Sequence, residues 1–432
     1  MMSPEIIGMI CILTMIVFMF LGMWIGIAMF AAGFFGYIVL EGLEPTFSTI
    51  ATIPYSTVAT YNIAAFPLFI FMGSLVATTG VSTDLFNTAY KWLGSLKGGL
   101  ALATVAACAA FAAICGSSMA SAVTMGKVSL PEMKRYNYND SLATATVASG
   151  GTLGILIPPS MGFIMYGIIT ENSVGALFMA GIFPGILLTL LFMVVVAIWC
   201  LRDPSSGPAG PRTTVKEKIM SLKGTWMMVV LFVVVLGGIY FGIFTPTESG
   251  AIGVAGSLVI TGVTRRLTGR HFINSALETG QTTAMILIIM VGAFVFMRML
   301  SISQLPVLLA DIVGGLEISR YGILAALIVL YIILGMFLEI MSCIVFTMPI
   351  IYPTIINLGF DPIWFGVVMV IMMEMGLITP PVGLNVFVLG SVTDVPMAKI
   401  FKGVYPFAAA ILICVILLTV WPDIALFLPN RM

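Results

Sequence analysis

The chain has 432 residues, 60% of them hydrophobic and 8% charged, with a mean hydropathy of +1.16; a soluble domain carries about 25% charged residues. With 18 basic and 18 acidic residues the formal net charge is zero, which offers nothing to a nucleic acid. The composition is that of an all-α polytopic membrane protein.

In chain order, Met1 to Glu5 contains no basic residue and the apolar run continues to Leu40, so no cleavable signal peptide is expected. Apolar runs and breakers predict spans at 5–21, 24–40 and 63–82, a helical hairpin at 98–134, a broken helix at 141–171 and a span at 175–200. A second series follows, with spans at 226–244, 249–264 and 283–305, a hairpin at 321–353, a broken helix at 361–393 and a last span at 403–427. Segments 47–60, 83–96, 272–282 and 306–316 are too short or too mixed to span and read as amphipathic arms. This divides the chain into first-half scaffold helices and arms (1–97), first-half transport elements (98–200) and a cytoplasmic linker (201–224). Second-half scaffold elements (225–320) and transport elements (321–432) complete it.

The two series share a phrase. Gly154-Ile155-Leu156-Ile157-Pro158-Pro159 returns 222 residues later as Gly376-Leu377-Ile378-Thr379-Pro380-Pro381. At the same offset Pro131 pairs with Pro353, Gly181 with Gly403 and Pro184 with Pro406. Consecutive prolines remove backbone donors and stop a helix from running through. One such pair is as consistent with a kink as with a site, but broken helices at matching points of two halves point to a transporter's binding site. Each half has an odd number of crossings, so the second is expected to be inverted. With the 202–223 loop (Arg202, Arg212, Lys216, Lys218, Lys223) in the cytoplasm, Lys91, Lys97, Lys127, Lys134, Arg135, Arg265, Arg266, Arg270, Lys399 and Lys402 also fall inside. That leaves only Arg298, Arg320 and Arg431 of the 18 basic residues elsewhere.

Several chemistries are excluded or disfavoured. His271, the only histidine, sits in a basic loop, so neither a His-ligated zinc site nor a Ser-His-Asp triad is readily built. There is no G-x-x-x-x-G-K-[ST], hence no P-loop for ATP, and uphill movement needs an ion gradient. Gly250, Gly253 and Gly256 suit close helix packing rather than a dinucleotide loop. The cysteines at 11, 108, 115, 200, 343 and 414 lie in apolar segments without CxxC spacing, so neither disulfides nor a cysteine metal site is expected.

The hairpin middles, Cys115-Gly116-Ser117-Ser118-Met119-Ala120-Ser121 and Gly335-Met336-Phe337-Leu338-Glu339-Ile340-Met341-Ser342, are expected to turn at membrane depth. There, unpaired backbone groups are tolerated only beside a cavity or a ligand. Each tip is expected to meet the Pro-Pro break of its own half, bringing free carbonyls and the hydroxyls of Ser117 and Thr379 together. Such a neutral oxygen cage suits a hard monovalent cation, sodium being the natural one. The alternative is that small residues merely allow tight crossing. Arg298 is the one basic residue within a full span, and a charge there costs roughly 2.5–3.5 kcal/mol or more. It either pairs with Glu339 or holds a carboxylate or sulfonate of a substrate bidentately. Glu248 is expected to cap the following helix, and Glu374, one turn before the second break, is open to either reading.

These segments resemble the large membrane subunit (DctM/SiaM type) of tripartite ATP-independent periplasmic (TRAP) transporters over essentially all 432 residues. The resemblance is carried by Cys115-Gly116-Ser117-Ser118, Gly154-Ile155-Leu156-Ile157-Pro158-Pro159-Ser160 and Thr170-Glu171-Asn172-Ser173-Val174-Gly175. Ala180-Gly181-Ile182-Phe183-Pro184-Gly185, Thr245-Pro246-Thr247-Glu248 and Gly376-Leu377-Ile378-Thr379-Pro380-Pro381-Val382-Gly383-Leu384-Asn385 extend it. It implies an elevator-type sodium symporter of the bacterial cytoplasmic membrane, built from two inverted repeats. A separate four-helix membrane subunit and a periplasmic substrate-binding protein are its implied partners. It implies a first sodium site at Cys115, Ser117, Gly154, Ile157 and Pro159, and a second at Gly335, Gly376, Thr379 and Val382, mostly through backbone carbonyls. It implies substrate binding by Ser173, Arg298 and Glu339. Some members have serine where this chain has Cys115, which puts a side-chain contribution there in question. No ATP and no organic cofactor are implied. Which organic anion is carried is not legible: C4-dicarboxylates, sialic and other sugar acids, 2-oxo acids and sulfonates all use similar subunits. A self-sufficient anion symporter of similar fold and a membrane enzyme are the competing readings.

Overall fold

The computed structural model describes residues 2–315 and 317–432, and among them every regular element is helical. The first series comprises α1 (Pro4–Phe20), α2 (Ile25–Glu41), α3 (Leu43–Val58), a 3₁₀ turn, α4 (Ala65–Thr78) and α5 (Val81–Leu93). The hairpin α6 (Gly99–Cys115) and α7 (Ser118–Arg135), the broken pair α8 (Asp140–Leu156) and α9 (Met161–Ile169), and α10 (Val174–Arg202) follow. A linker carries the short α11 (Val215–Ser221). The second series is α12 (Trp226–Tyr240), α13 (Pro246–Val263), α14 (Gly269–Ser303), α15 (Leu305–Gly314), α16 (Arg320–Phe337) and α17 (Ile340–Asn357). It ends with α18 (Pro362–Gly376), α19 (Leu384–Ser391), α20 (Met397–Val420) and the short α21 (Asp423–Leu426). Among the described residues six helical stretches are long and apolar enough to cross a membrane, α14 being the longest at 35 residues.

Most expected boundaries agree to within a few residues, and the caps explain the starts. Asn139, Ser160 and Ser173 accept from backbone N–H groups in the first turns of α8, α9 and α10. Thr245 and Glu248 close a capping box at α13, so Glu248 caps as expected, its Oε2 accepting from the Thr245 N–H at 2.8 Å. Two expectations are corrected. Residues 272–282 are not a separate arm but the opening turns of α14, which has no internal proline; the matching first-half stretch carries Pro54 and Pro67 and breaks between α3 and α4. The last span is Met397–Val420 rather than 403–427, because Pro422 pushes Trp421 out of the helical region (φ −125°, ψ 78°).

Packing runs across the halves. Helix α2 lies along α14 and α4 along α13; α9 packs on α17 and α19 on α7; α10 packs on α18 and α20 on α8. At the α2–α14 crossing, a Cβ on Gly292 would fall 2.0 Å from the Gly26 carbonyl oxygen, so only glycine permits that approach. Gly250, Gly253 and Gly256 receive side chains of Leu68, Met72 and Leu231, as close packing requires. The linker is fastened to the end of α5: Gly210 N–H donates to the Gly94 carbonyl at 2.8 Å and Thr213 Oγ1 to the Lys91 carbonyl at 2.6 Å. In the linker, hydrogen bonds from Ser205 and Ser206 hold the Asp203 carboxyl below its ordinary range. All six cysteines are buried and free. The hairpins differ: α6 is buried almost throughout, whereas α16 buries only Ile323, Leu324, Tyr331 and Gly335.

Candidate functional site

The first hairpin turns on two residues, Gly116 at φ +63° and the extended Ser117, which caps α7 by accepting from Ala120 N–H. This tip meets the first break. A Cβ on Gly116 would lie 2.8 Å from the Pro159 carbonyl oxygen, and one on Gly154 would lie 2.6 Å from the Ser117 carbonyl oxygen. In a continuous helix the Gly154 and Ile155 carbonyls would accept from residues 158 and 159, but Pro158 and Pro159 have no N–H to give. The Ile157 side chain lines a 310 Å³ apolar cavity between α5, α6, α10 and α12, so its contribution to the tip is the carbonyl. Cys115 Sγ reaches the Ser117 carbonyl at 3.8 Å. The C-termini of α6 and α8 both end at this junction, and the negative end of a helix dipole favours a cation. The N-termini of α7 and α9 beside them favour an anion.

The second tip meets the second break in the same way. A Cβ on Gly376 would fall 2.4 Å from the Gly335 carbonyl carbon, so the two backbones touch. Local bonding differs, however. Thr379 N–H donates to the Gly376 carbonyl at 3.1 Å, Asn385 N–H to Leu377 at 3.0 Å, and Thr379 Oγ1 to the Met375 carbonyl at 2.5 Å. Each of those oxygens keeps a lone pair for a further ligand. The first break is buried from Ile155 to Ser160; in the second, Thr379, Pro380 and Val382 are half-buried and Pro381 is exposed. Both Pro-Pro bonds are cis.

The residues implied for substrate do not form one cluster. Arg298 is exposed and, among the described residues, makes no ion pair; its pairing with Glu339 is corrected. Glu339 instead caps α17, its Oε2 accepting from the N–H groups of Met341 at 3.0 Å and Ser342 at 3.4 Å. Both bonds engage Oε2 within its own tip. Arg298 lines an 830 Å³ cavity with Glu171, Asn172 and a row of hydroxyls on α3. Ser173 adjoins it in sequence and caps α10 through Ala176 N–H at 3.2 Å.

Two features escaped the sequence reading. The α3 hydroxyls Ser48, Thr49, Thr52 and Ser56, with Thr60 just past the end of α3, face one cavity, and their three-to-four spacing was the available signal. Glu374 is buried and accepts a hydrogen bond from Ser118 Oγ at the first tip, so a second-half carboxylate touches the first-half hairpin. No local pattern encodes that pairing, which spans 256 residues.

The profile of the DctM component of the tripartite ATP-independent periplasmic transporters matches residues 12–424. The C4-dicarboxylate TRAP transporter large permease protein DctM of Pseudomonas aeruginosa is 38% identical over 377 residues, covering 87% of this chain and 88% of its own. The ectoine/5-hydroxyectoine TRAP transporter large permease protein UehC of Ruegeria pomeroyi is 31% identical over 417 residues, 96% of this chain and 97% of its own. Among solved structures, the YdaH transporter of Alcanivorax borkumensis aligns with a TM-score of 0.66 at 16% identity over 89% of each chain, a likeness of fold.

Proposed function

Because the chain belongs to the DctM component family of TRAP transporters, as a multi-pass inner-membrane transport subunit and not an enzyme, we propose that it imports a small organic anion by sodium symport. The solute carries a carboxylate or sulfonate and is delivered by a periplasmic substrate-binding protein; a small four-helix membrane subunit completes the complex. The carrying observation is the pair of tip–break junctions, at each of which two helix C-termini end with their backbones in close contact. A hard cation there replaces its hydration shell with oxygens already in position. Cys115, Ser117, Gly154, Ile157 and Pro159 hold one sodium ion, and Gly335, Gly376, Thr379 and Val382 the other.

Each bound cation leaves the adjacent helix N-termini free to attract the solute's anionic group, and the positive charge offsets the solute's negative one, lowering the cost of moving both through the bilayer. Arg298, in a cavity it shares with the α3 hydroxyls, Asn172 and Glu171, presents its guanidinium fork to the same group. The exchange packing of α2 with α14 and α4 with α13, and of α9 with α17 and α19 with α7, supports two inverted repeats. In this reading 98–200 and 321–432 form the moving body, and 1–97 and 225–320 the scaffold.

The deciding experiment is uptake into proteoliposomes holding the chain, its small subunit and the periplasmic protein. Uptake requires a sodium gradient, and a proton gradient alone does not suffice. Robust uptake with sodium absent on both sides overturns the coupling, and uptake without the periplasmic protein favours a self-sufficient symporter.

A further inference from the structure

We propose that Glu374, Ser118, Ser121 and Asn385 form a further cation site, bridging the two halves, that takes a hard monovalent cation such as sodium. For its part in coupling the proposal rests on the symport reading; its chemistry stands on the geometry alone.

All four side chains are at most 2% exposed. Ser118 Oγ donates to Glu374 Oε1, while Glu374 Oε2, Ser121 Oγ and Asn385 Oδ1 are buried without a hydrogen-bond partner. Neighbouring contacts bring these groups to one level. Ser118 and Ser121 are three apart on α7 and share a face. A Cβ on Gly154 would lie 2.7 Å from Ser121 Oγ, so that hydroxyl faces α8. Leu389 sits on Gly126, which fixes α19 along α7 and sets Asn385, one turn back, beside the Ser121 turn. Asn385 Nδ2 reaches the Ala148 carbonyl at 3.5 Å, and its backbone N–H is held by Leu377, three residues past Glu374.

Buried helical hydroxyls in this chain normally bond their own backbone: Ser129 Oγ donates to Met125 at 2.7 Å and Thr146 Oγ1 to Leu142 at 2.7 Å. Ser121 does not. A buried carboxylate must be neutralised, and the ion pairs among the described residues are Arg135–Glu132, Arg266–Asp84 and Lys399–Asp140. A proton on Glu374 Oε2, donated to one neighbouring acceptor, satisfies two of the three orphan oxygens at most. One cation satisfies all three, and a single charge beside one carboxylate leaves the site neutral, whereas a divalent ion leaves a buried excess.

The 222-residue offset sets Thr152 opposite Glu374 and Ile340 opposite Ser118, so the cluster has no twin in the other half. Thr152 Oγ1 is satisfied by the Ser149 carbonyl at 2.6 Å. The site is therefore single, and it ties α7 of the first half to α18 and α19 of the second.

The test compares saturating radiolabelled sodium binding, and charge moved per solute, in the purified complex of wild type, Glu374→Gln and Thr379→Ala. Glu374→Gln is expected to lose one bound sodium per chain and one charge per solute. Ser121→Ala, which keeps the carboxylate, is expected to weaken that one binding step about 10-fold and serves if Glu374→Gln does not fold. Unchanged sodium stoichiometry in Glu374→Gln, or an unchanged binding curve in Ser121→Ala, overturns the site. If Thr379→Ala weakens binding while Glu374→Gln leaves it intact, only this site falls; if wild type binds no sodium, the symport reading falls with it.

Discussion

Gly335 and Gly376 carry no side chain, and that is their contribution. Their backbones touch, so Gly376→Ala forces a methyl group to within 2.4 Å of Gly335. We expect overpacking of roughly 1–3 kcal/mol, read as a lowered melting temperature, with sodium affinity reduced at least 10-fold in the same preparation. Arg298 makes the opposite argument, since it lines a polar cavity without an ion pair among the described residues. Arg298→Lys retains the charge and loses the planar fork. Solute uptake is expected to drop about 10-fold, the scale of one charge-assisted hydrogen bond, while sodium binding is retained; normal uptake returns Arg298 to a structural role. The motif glycines and prolines were legible in the sequence because their effect on the backbone is local. Glu374 was not, because its meaning depends on Ser118, which only the tertiary fold brings to it.

At the scale of elements, the breaks follow directly from chemistry. Two adjacent prolines withhold two donors, and the carbonyls of Gly154 and Ile155 are left for another ligand. Pro158→Ala combined with Pro159→Ala restores those donors; sodium affinity should fall while far-ultraviolet helical content stays level or rises slightly. The matching change at Pro380 and Pro381 should have a smaller effect on helicity, because Asn385 already bonds Leu377 there. Helix α3 is the element that sequence reading underused. Its hydroxyls face the cavity that Arg298 lines, so Thr52→Val with Ser56→Ala is expected to raise the half-saturating solute concentration several-fold without changing sodium affinity. The α14 boundary was missed because amphipathic and apolar segments joined without a breaker look like two elements when composition alone is read.

At the scale of the molecule, hydropathy and the repeat revealed the class and order of helices, but not which faces meet. Cross-half packing depends on shape, and the glycines that permit it resemble those of any membrane helix. Among the contacts between the two proposed bodies, Phe69 of α4 lies edge-on to Phe178 of α10, ring centroids 5.8 Å apart. If α10 travels past α4, Phe69→Cys with Phe178→Cys, joined by a short thiol cross-linker in the otherwise native chain, whose six cysteines are buried, should abolish uptake. A reversible linker should restore it on reduction. Uptake at the normal rate by the fully cross-linked protein would exclude sliding at this contact.

The unbroken α14 has one more consequence. Thirty-five residues at about 1.5 Å each give a rod of roughly 50 Å, well over the ~30 Å of a bilayer's hydrocarbon layer. One flank of the frame thus behaves as a stiff mast, with a polar foot that includes Arg270 and His271. The repeat-related pair α3 and α4, which packs directly against α14, has a joint at residues 59–64. When the bilayer thins or thickens, the mast must tilt and the joint must bend. Transport rate should therefore depend on acyl-chain length, and deleting the joint by making α3 and α4 continuous should sharpen that dependence.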